Sequence, residues 1–480
     1  IGIYLTSATQ YIQAGGGNIT LRGLGHPTAS TYGDGILLDS SGGITTTGTG
    51  AITLTGIATG EWNGIRIYNT TISAGSGGIT LTGNSNSTGS YNGVRLHGST
   101  AVSTTGKVAI SGVGGTAHYG VFTTNTASIS AGGDITINGQ NAARNWGVAL
   151  ESSGTIQSTA GNISVTGAGT GGVYLTLTQL IAANNASTPT SGGNITINGT
   201  GSSNYGLQQY SGAMTAFGDI TVTASSTGNR GSYFGGSGTN LAVGNISLNS
   251  TSTSGNNWGM YVETNKVFQS TAGNIAITSS GSGGAYIYGK LIAANSEANP
   301  TSGGTITINA TGTSSHGLQL DTSFLVAHGA IDITALNTST LHTFRMEGAS
   351  GSIKSNSDIN IQAGYATGSS LGTWGLVVDT GRSIQSTGGN ITINARGSWG
   401  GFYVSTSATS IVAGNHLTDP TAGGNITLNT TGGSGYGTQM VAGSLVANGS
   451  ISITSTGGLE GAYIYGSGLL KANGDITINA

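Results

Sequence analysis

One short motif, Gly-[Asn/Asp]-Ile-Thr-Ile, recurs along the whole chain and constrains its fold more than any other feature. Seventeen copies are recognisable, and their mean spacing of about 29 residues is typical of solenoids and repeat arrays. The first apolar residues of the copies are Ile19, Ile52, Ile79, Val108, Ile135, Ile163, Ile195, Ile220, Ile246, Ile275, Ile306, Ile331, Ile359, Ile391, Ile426, Ile451 and Ile476. Such a chain is predicted to stack similar coils rather than to form unrelated domains.

Each period contains three short apolar segments. The marker segment is exemplified by 195–198, the second segment by 146–150 and the third by 156–158. Apolar and polar residues alternate in them with the period of a β-strand, while Gly and Asn between them suit tight corners. The sequence therefore predicts an all-β fold, a parallel β-helix (β-solenoid) of about 17 coils with three short strands per coil. Crossover preference favours the right-handed form, and a rise of roughly 4.8 Å per coil gives a rod of about 80 Å.

Composition agrees with this fold and excludes several others. Of 480 residues 89 are Gly, yet only four are Pro, so the chain is not collagen-like. Charged residues make up 6% and the net charge is −3, which gives no basic surface for nucleic acid. No apolar run is long enough to span a membrane. There is no Cys, so no disulfide or thiolate metal site is expected.

A longer period is superimposed on the coils. The Trp-Gly pairs at Trp146, Trp258 and Trp374 lie four coils apart, and a Pro-containing corner recurs at Pro189, Pro300 and Pro420. We expect residues 1–480 to form one continuous solenoid segment with a four-coil super-repeat of about 111–120 residues. Neither end carries an atypical capping repeat, so we expect a segment, uncapped at both ends, of a longer chain.

The Gly-Asn-Ile-Thr-Ile/Leu modules at 193–197, 389–393 and 424–428 resemble the shaft repeats of bacterial filamentous-haemagglutinin-like and other giant β-strand-repeat adhesins. The resemblance extends over essentially the whole chain. It implies a secreted, surface-attached β-helix in which the repeats build the shaft, and an extracellular or cell-surface location in a bacterium.

The residue before the marker segment is Asn or Asp in eleven copies. Calcium-binding β-rolls need denser carboxylates, so we interpret these residues as a stacked corner ladder in which side chains bond to the backbone. The positions are Asn18, Asn162, Asn194, Asn245, Asn274, Asn390, Asn425, Asp134, Asp219, Asp358 and Asp475.

Two further sets are candidates for contact with partners. Aromatic residues precede the second segment, and their rings either stack in corners or offer a surface to sugars and neighbouring rods. The tryptophans of this set are Trp62, Trp146, Trp258, Trp374 and Trp399. The Pro-containing loops around 182–191, 293–302 and 413–422 are long insertions and are candidate lateral contacts.

Catalytic patterns are weak. Glu151, Glu263 and Asp379 occupy equivalent super-repeat positions, which places them too far apart for a glycosidase pair. Arg345 and Glu347 are expected to form a surface ion pair that contributes little to stability. The seven His residues have no metal-ligand spacing. We therefore expect no enzyme activity, no cofactor and no metal.

The sequence favours a structural role: the shaft of a secreted adhesin or extracellular fibre that projects a binding region. The partners expected are other copies of the rod, through lateral or end-to-end packing, and surface or matrix glycans, with no nucleic acid and no membrane insertion. One alternative is a β-helix that binds or degrades polysaccharide. A second is an ice-binding solenoid that uses outward threonines such as Thr53, Thr80 and Thr136.

Overall fold

The structure is a computed structural model that describes residues 1–26, 33–86, 91–141, 145–348, 350–365, 373–405 and 408–480. These residues divide into two compact units. Unit 1 comprises 1–233 and 237–243, and unit 2 comprises 234–236 and 244–480. Each unit is a parallel β-solenoid with three strands per coil, and no helix is assigned within the described ranges. This confirms the predicted fold class.

The strands of unit 1 form three parallel sheets, here called marker, second and third after the sequence segments that build them. The marker strands are Ile19–Leu24, Ile52–Ala58, Ile79–Ser85, Val108–Gly114, Ile135–Asn141, Ile163–Gly169, Ile195–Gly201 and Ile220–Ser226. The second strands are Ile3–Leu5, Ile36–Asp39, Ile65–Tyr68, Val94–His97, Val121–Asn125, Trp146–Ser152, Gly171–Leu175 and Leu207–Gln209. The third strands are Tyr11–Ala14, Gly43–Thr46, Thr71–Ala74, Ala101–Thr104, Ser128–Ala131, Thr155–Ser158, Gln179–Ala182, Ala213–Ala216 and Gly238–Ala242. One more second strand, Ser232–Phe234, contains the residue at which the two units divide.

Unit 2 repeats the same three sheets. Its marker strands are Ile246–Ser252, Ile275–Gly281, Ile306–Gly312, Ile331–Asn337, Ile359–Tyr365, Ile391–Gly397, Ile426–Gly432, Ile451–Thr456 and Ile476–Asn479. Its second strands are Trp258–Val262, Gly283–Ile287, Leu318–Asp321, Phe344–Glu347, Trp374–Val378, Gly400–Val404, Tyr436–Met440 and Glu460–Ile464. Its third strands are Lys266–Ser270, Lys290–Ala293, Phe324–Ala327, Gly351–Ser355, Arg382–Ser386, Ser410–Ala413, Ser444–Ala447 and Leu469–Ala472.

The core of each unit is a column of stacked apolar side chains. In the marker sheet Ile163 pairs with Ile195 and Val165 with Ile197, and all four side chains are fully buried. Ser164, between the two buried residues, is half-exposed. Burying an aliphatic side chain of this size contributes roughly 1.5–3 kcal/mol. The alternation read from the sequence is therefore the alternation between the core and the outside of the coil.

Glycines inside the marker strands allow the sheets of one coil to approach each other. At Gly167 an added Cβ would overlap the carbonyl oxygen of Gly172, at the start of the second strand of the same coil. Gly56, four coils earlier, meets the carbonyl oxygen of Gly64 in the same way. A side chain at either position would force the sheets apart, which explains the Gly that follows many marker motifs.

Candidate interaction surfaces

The residues predicted to form a corner ladder lie in successive coils of unit 1. The Asp134 carboxylate accepts a hydrogen bond from the backbone N–H of Asn162 at 3.0 Å. Oδ1 of Asn162 accepts one from the N–H of Asn194 at 2.9 Å, and Oδ1 of Asn194 accepts one from the N–H of Asp219 at 2.7 Å. Asn18 makes the same kind of bond to the next coil. Each side chain therefore satisfies a backbone donor in the coil that follows.

Unit 2 carries two further runs of this ladder. Asn245 accepts from the N–H of Asn274 at 2.9 Å. Asp358 accepts from the N–H of Asn390 at 2.7 Å, and Asn390 accepts from the N–H of Asn425 at 2.9 Å. The amide groups of Asn274, Asn390 and Asn425 also donate to the side chain before them, at 3.3 Å in each case. The side chains thus bond to each other as well as to the backbone.

The ladder stabilises the corners and presents no free ligand set. A hydrogen bond from the Lys107 ammonium, 2.8 Å away, holds the pKa of the Asp134 carboxyl below its usual range. In the last coil the N–H of Asp475 donates to Ser450 at 3.1 Å. A hydrogen bond of this kind contributes roughly 0.5–1.5 kcal/mol to stability. The stabilisation by the ladder therefore comes from the number of its hydrogen bonds and not from any single one.

A second, buried ladder was not anticipated from the sequence. Oδ1 of Asp34 accepts hydrogen bonds from the backbone N–H and the amide of Asn63, at 3.0 and 2.9 Å. Asn63 accepts the same pair of bonds from Asn92 at 3.0 and 3.1 Å, and Asn92 accepts one from the N–H of Tyr119. Asp34, Asn63 and Asn92 are 0–2% exposed. Their spacing of 29 residues was visible, but only the fold shows that they point inward.

We expect Asp34→Asn to stabilise the protein at neutral pH by about 1 kcal/mol. Burial raises the pKa of the Asp34 carboxyl, against the opposing effect of hydrogen bonds from Asn63, and Oδ2 has no hydrogen-bond partner among the described residues. The folded state therefore holds this proton more tightly than the unfolded chain. The stability from this group is fully present below the unfolded pKa of about 4 and is lost as pH rises through the folded pKa. The equivalent position in each of the next two coils is already asparagine, Asn63 and Asn92, so the site accommodates this side chain.

The measurement is the midpoint of guanidinium unfolding between pH 3 and pH 8. The wild type should lose stability relative to the variant as pH rises, and Asp39→Asn, on a partly exposed carboxylate, serves as the control. An Asp34→Asn variant with the same pH profile as the wild type, or one less stable at pH 7, would contradict the burial argument.

The tryptophans of the super-repeat fill spaces left by glycines. The indole of Trp146 lies over Gly171 in the next coil, where an added Cβ would stand 2.5 Å from the ring. Trp258 lies over Gly283 in the same way, as Trp374 does over Gly400. Trp146 also stacks on Tyr174 and Tyr205, with ring centroids 5.3 and 6.4 Å apart. Each of these pairs, a Trp and the Gly one coil later, therefore packs the wall of the solenoid.

Not all the candidate aromatic residues are equally accessible. Trp146 is 7% exposed, while Trp258, Trp374 and Trp62 are half-buried. Trp399 is 36% exposed and has an edge contact with Tyr436 at 6.5 Å. Of the tryptophans named from the sequence, Trp399 is thus the one best placed to contact a partner.

The three Pro-containing loops share one hydrogen-bonded design. In the first, the side chain of Asn184 bonds to the backbone and hydroxyl of Thr190 at 3.0 and 2.8 Å. Asn295 with Thr301, and Asn415 with Thr421, make the same bonds at 2.8–3.0 Å. Each loop ends at a glycine with positive φ, where a side chain would meet the strand that enters the loop. The three glycines are Gly192, Gly303 and Gly423.

Two of these loops are fastened to coils further along the chain. Asn356 Nδ2 donates to the carbonyl of Pro300 at 2.8 Å, and Asn473 Nδ2 donates to the carbonyl of Pro420 at 3.0 Å. Pro300 and Pro420 are buried, whereas Pro189 is half-exposed. The position equivalent to Asn356 near the first loop is Val243, which has no amide to donate. The loops therefore brace the third sheet of unit 2 as well as forming part of its surface.

We expect Asn356→Ala to loosen the loop 295–302 without affecting the loop 415–422. Losing one hydrogen bond of about 1 kcal/mol should speed amide exchange at Thr301 and Ser302 roughly fivefold. Hydrogen–deuterium exchange read by mass spectrometry checks this, and the third loop provides an internal control in the same sample. Equal acceleration in both loops would show general destabilisation rather than loss of a local brace.

The outer face of the second sheet in unit 2 carries the densest group of charges among the described residues. Arg345 contacts Glu347 at 2.8 Å and Asp379 at 3.2 Å. The hydroxyl of Tyr286 donates to Asp321 at 2.8 Å. The pair expected from the sequence is therefore one edge of a larger network. One guanidinium is shared by two carboxylates, which leaves neither of them a free general base.

Two cations that point inward were missed by sequence reasoning. Lys266 and Arg382 occupy equivalent positions four coils apart, and the side chains of both are fully buried. Burial lowers the pKa of Lys266 to about 7. Arg382 lies 3.9 Å from Asp321 and donates to the carbonyl of Ser350. Each is the first residue of a third strand, and its side chain points into the core. The fold is needed to see this, because nothing in the local sequence distinguishes these residues from surface cations.

Two histidines that precede second strands of unit 2 stack on each other. His316 and His342 have ring centroids 5.8 Å apart, and burial lowers the pKa of His342 to about 4. Burial likewise lowers the pKa of His97, which stacks on Tyr68 at 4.4 Å, to about 4. Within the described ranges no group of three His, Asp or Glu residues is arranged to hold a metal ion, and no helix is long and apolar enough to cross a membrane.

The outward threonines of unit 1 lie in register. Thr53 pairs with Thr80, and Thr196 pairs with Thr221, along the first outward column of the marker sheet. In unit 2 the corresponding column contains Asp332 and Asn360, which bond to each other at 2.8 Å. The hydroxyl surface is therefore more regular in unit 1 than in unit 2.

Comparison with known proteins gives no family assignment. No protein-family model matches the chain, and none of the curated proteins matches it. The chain is a repeat protein that folds as a parallel β-solenoid.

Proposed function

We propose that this chain is part of the structural shaft of a secreted surface adhesin or extracellular fibre. The observation that carries the proposal is the repetition itself. In each unit, coil after coil stacks through the same three parallel sheets, the same buried aliphatic columns and the same corner ladders. Such a structure can be lengthened by adding coils at nearly constant stability per coil, which suits a spacer that holds a binding region away from a surface.

The resemblance of the Gly-Asn-Ile-Thr-Ile modules to filamentous-haemagglutinin-like shafts supports the same proposal, which includes an extracellular or cell-surface location in a bacterium. Packing against other copies would use the outward faces and exposed rings such as Trp399, and contact with surface or matrix glycans would use the same faces. We propose no enzymatic role for this part of the chain, since Arg345 holds both Glu347 and Asp379 in ion pairs.

The test is electron microscopy of producing cells labelled with gold-conjugated antibody against residues 1–480. The shaft proposal expects repeated label along cell-attached fibres. Label confined to short released particles, or to the cytoplasm, would refute it. Incubation of the purified protein with a panel of polysaccharides, followed by reducing-end analysis, checks the expectation of no hydrolysis.

Ice binding is a second candidate because of the threonine column of unit 1. In-register hydroxyls on neighbouring strands, as at Thr53 and Thr80, provide a regular row of polar groups. Thermal hysteresis of the purified protein tests this directly. Its absence at millimolar concentration would end this candidate and leave the shaft proposal unaffected.

A further inference from the structure

The three super-repeats provide an internal comparison that separates what the fold needs from what it tolerates. The Trp of the second strand, the Gly below it and the Gln that holds the Pro loop recur in every copy. Gln157, Gln269 and Gln385 each donate to a loop carbonyl at 3.0–3.1 Å. Residues that differ between copies at equivalent outward positions are not required by the fold, so they are where a specific function can be sought.

The middle super-repeat differs from the others at two outward positions. Tyr261 stands where the first copy has Ala149, and Tyr288 stands where it has Thr176. The third copy has Val377 and Ser405 at these places. The acid between them is kept, as Glu151, Glu263 and Asp379. Among the three copies, therefore, only the middle one carries tyrosines at both of these positions.

These two rings border a groove on the outer face of unit 2. The groove has a volume of about 190 Å³ and is lined by Gly236, Tyr261, Glu263, Thr264, Asn265 and Tyr288. Pockets for drug-sized ligands measure roughly 300–1,000 Å³. This groove is therefore of a size for one small ring of a larger molecule that continues along the surface.

The groove is held in shape by its neighbours. The N–H of Gly236 donates to Oε2 of Glu263 at 3.1 Å, which orients the carboxylate. The ring of Tyr261 stacks on Tyr286 at 4.7 Å with planes 7° apart, and Tyr288 meets Tyr286 edge-on at 6.5 Å. Tyr286 is fixed in turn by its hydrogen bond to Asp321. The two bordering rings are thus supported by packing, which reduces the entropy that a ligand would have to remove.

We propose that this groove binds one pyranose unit of a neutral glycan. The apolar face of a sugar ring packs on an aromatic face, and a carboxylate accepts strong hydrogen bonds from two adjacent hydroxyls. The hydroxyl of Thr264 and the amide of Asn265 supply both donors and acceptors for further hydroxyls. Rings, carboxylate and amide together match a polyol with an apolar face better than they match a peptide or a lipid chain.

The charge of the surrounding face selects neutral sugars. In register with Glu263, the same outward column continues through Tyr288, Asp321, Glu347 and Asp379. Arg345 pairs with Glu347 and Asp379, and Arg382 lies 3.9 Å from Asp321, so the carboxylates of this column still outnumber the cations beside them. Carboxylates of uronic or sialic acids would therefore approach the column against repulsion, and a like-charge juxtaposition disfavours binding. A neutral glucan, galactan or similar polymer meets no such barrier.

The test is isothermal titration of the whole 480-residue chain with cellohexaose, maltohexaose, laminarihexaose and a galactohexaose, with oligogalacturonate and hexalysine as charged comparisons. Tyr261→Ala and Tyr288→Thr install the residues that the first super-repeat uses at the same places, so both variants are expected to fold. Each should weaken binding of the preferred neutral hexasaccharide roughly tenfold. Glu263→Gln should weaken it comparably and preserve the shape of the groove.

Tyr403→Ala is the matched control, because Tyr403 lies on the same face but has Val377 and Ser405 at the groove positions of its own copy. It should leave binding unchanged. Failure to bind any neutral hexasaccharide, equal affinity in the wild type and the tyrosine variants, or selective binding of oligogalacturonate or hexalysine would overturn the proposal. Circular dichroism and unfolding midpoints establish that each variant is folded. The inference does not rest on the shaft proposal, since antibody labelling of fibres and sugar binding can fail independently.

Discussion

Trp146→Ala is expected to destabilise unit 1 by roughly 3–5 kcal/mol, the range for removing a buried indole. Trp146 is 7% exposed, stacks on two tyrosines and fills the space above Gly171. The lower midpoint of guanidinium unfolding measures the loss. Trp399→Ala, at a tryptophan that is 36% exposed, should cost no more than about 1 kcal/mol and is the matched control.

A double-mutant cycle tests the reason for this loss. Gly171→Ala alone should destabilise, because the three atoms nearest to its new Cβ all belong to the Trp146 ring. Once the indole is gone, the same methyl group enters the vacated space. The double variant is therefore expected to lose less than the sum of the single variants, with a coupling of about 1 kcal/mol or more. Strict additivity would show that the indole and the glycine are not complementary.

Ile308→Ala is expected to destabilise unit 2 by roughly 2–5 kcal/mol, since it removes part of a fully buried column. The cavity would be bounded by Ile277 and Ile333, which pair with Ile308 from the coils on either side. The column cannot collapse to fill it, because the backbone hydrogen bonds of three sheets hold the coils at a fixed spacing.

Thr307→Ala, one residue earlier on the same strand, is the control. Thr307 points outward and follows Ala276 in its column, so the change should alter stability by no more than about 0.5 kcal/mol. Unfolding midpoints and local amide exchange around Ile308 measure the difference. Similar losses in the two variants would contradict the assignment of inside and outside on this strand.

The strands were largely predictable from the sequence. Each of the seventeen marker strands begins at the apolar residue that marks its motif, from Ile19 to Ile476. The signal is strong because one coil cannot bury its own apolar row, so the pattern has to repeat wherever coils stack. The super-repeat was also visible, and the loops that follow Ala183, Ala294 and Gly414 share their internal hydrogen bonds as their sequences suggested.

The candidate sites depended much more on the fold. Glu263 was recognised as an equivalent of Glu151, yet the groove beside it exists because Tyr261 and Tyr288 come from neighbouring coils. In the sequence, Asp34, Lys266 and Arg382 cannot be distinguished from ordinary surface charges. Their burial becomes evident only from the register of the strands in the fold. Asn356 and Pro300 are 56 residues apart in the sequence and meet only because the loop of Pro300 reaches the coil that lies two turns later in the stack.

The sequence by itself determined the repeating unit: strand period, corner residues and coil length all follow from local sterics and from the need to bury Ile and Val at every second position. Tertiary structure alone decided which polar residues face inward and which side chains from different coils become neighbours. The physical reason is that a strand with period two has only two faces, and local sequence fixes their alternation. Contacts across the stack depend on the register between coils, which the loops of variable length set and the buried columns enforce.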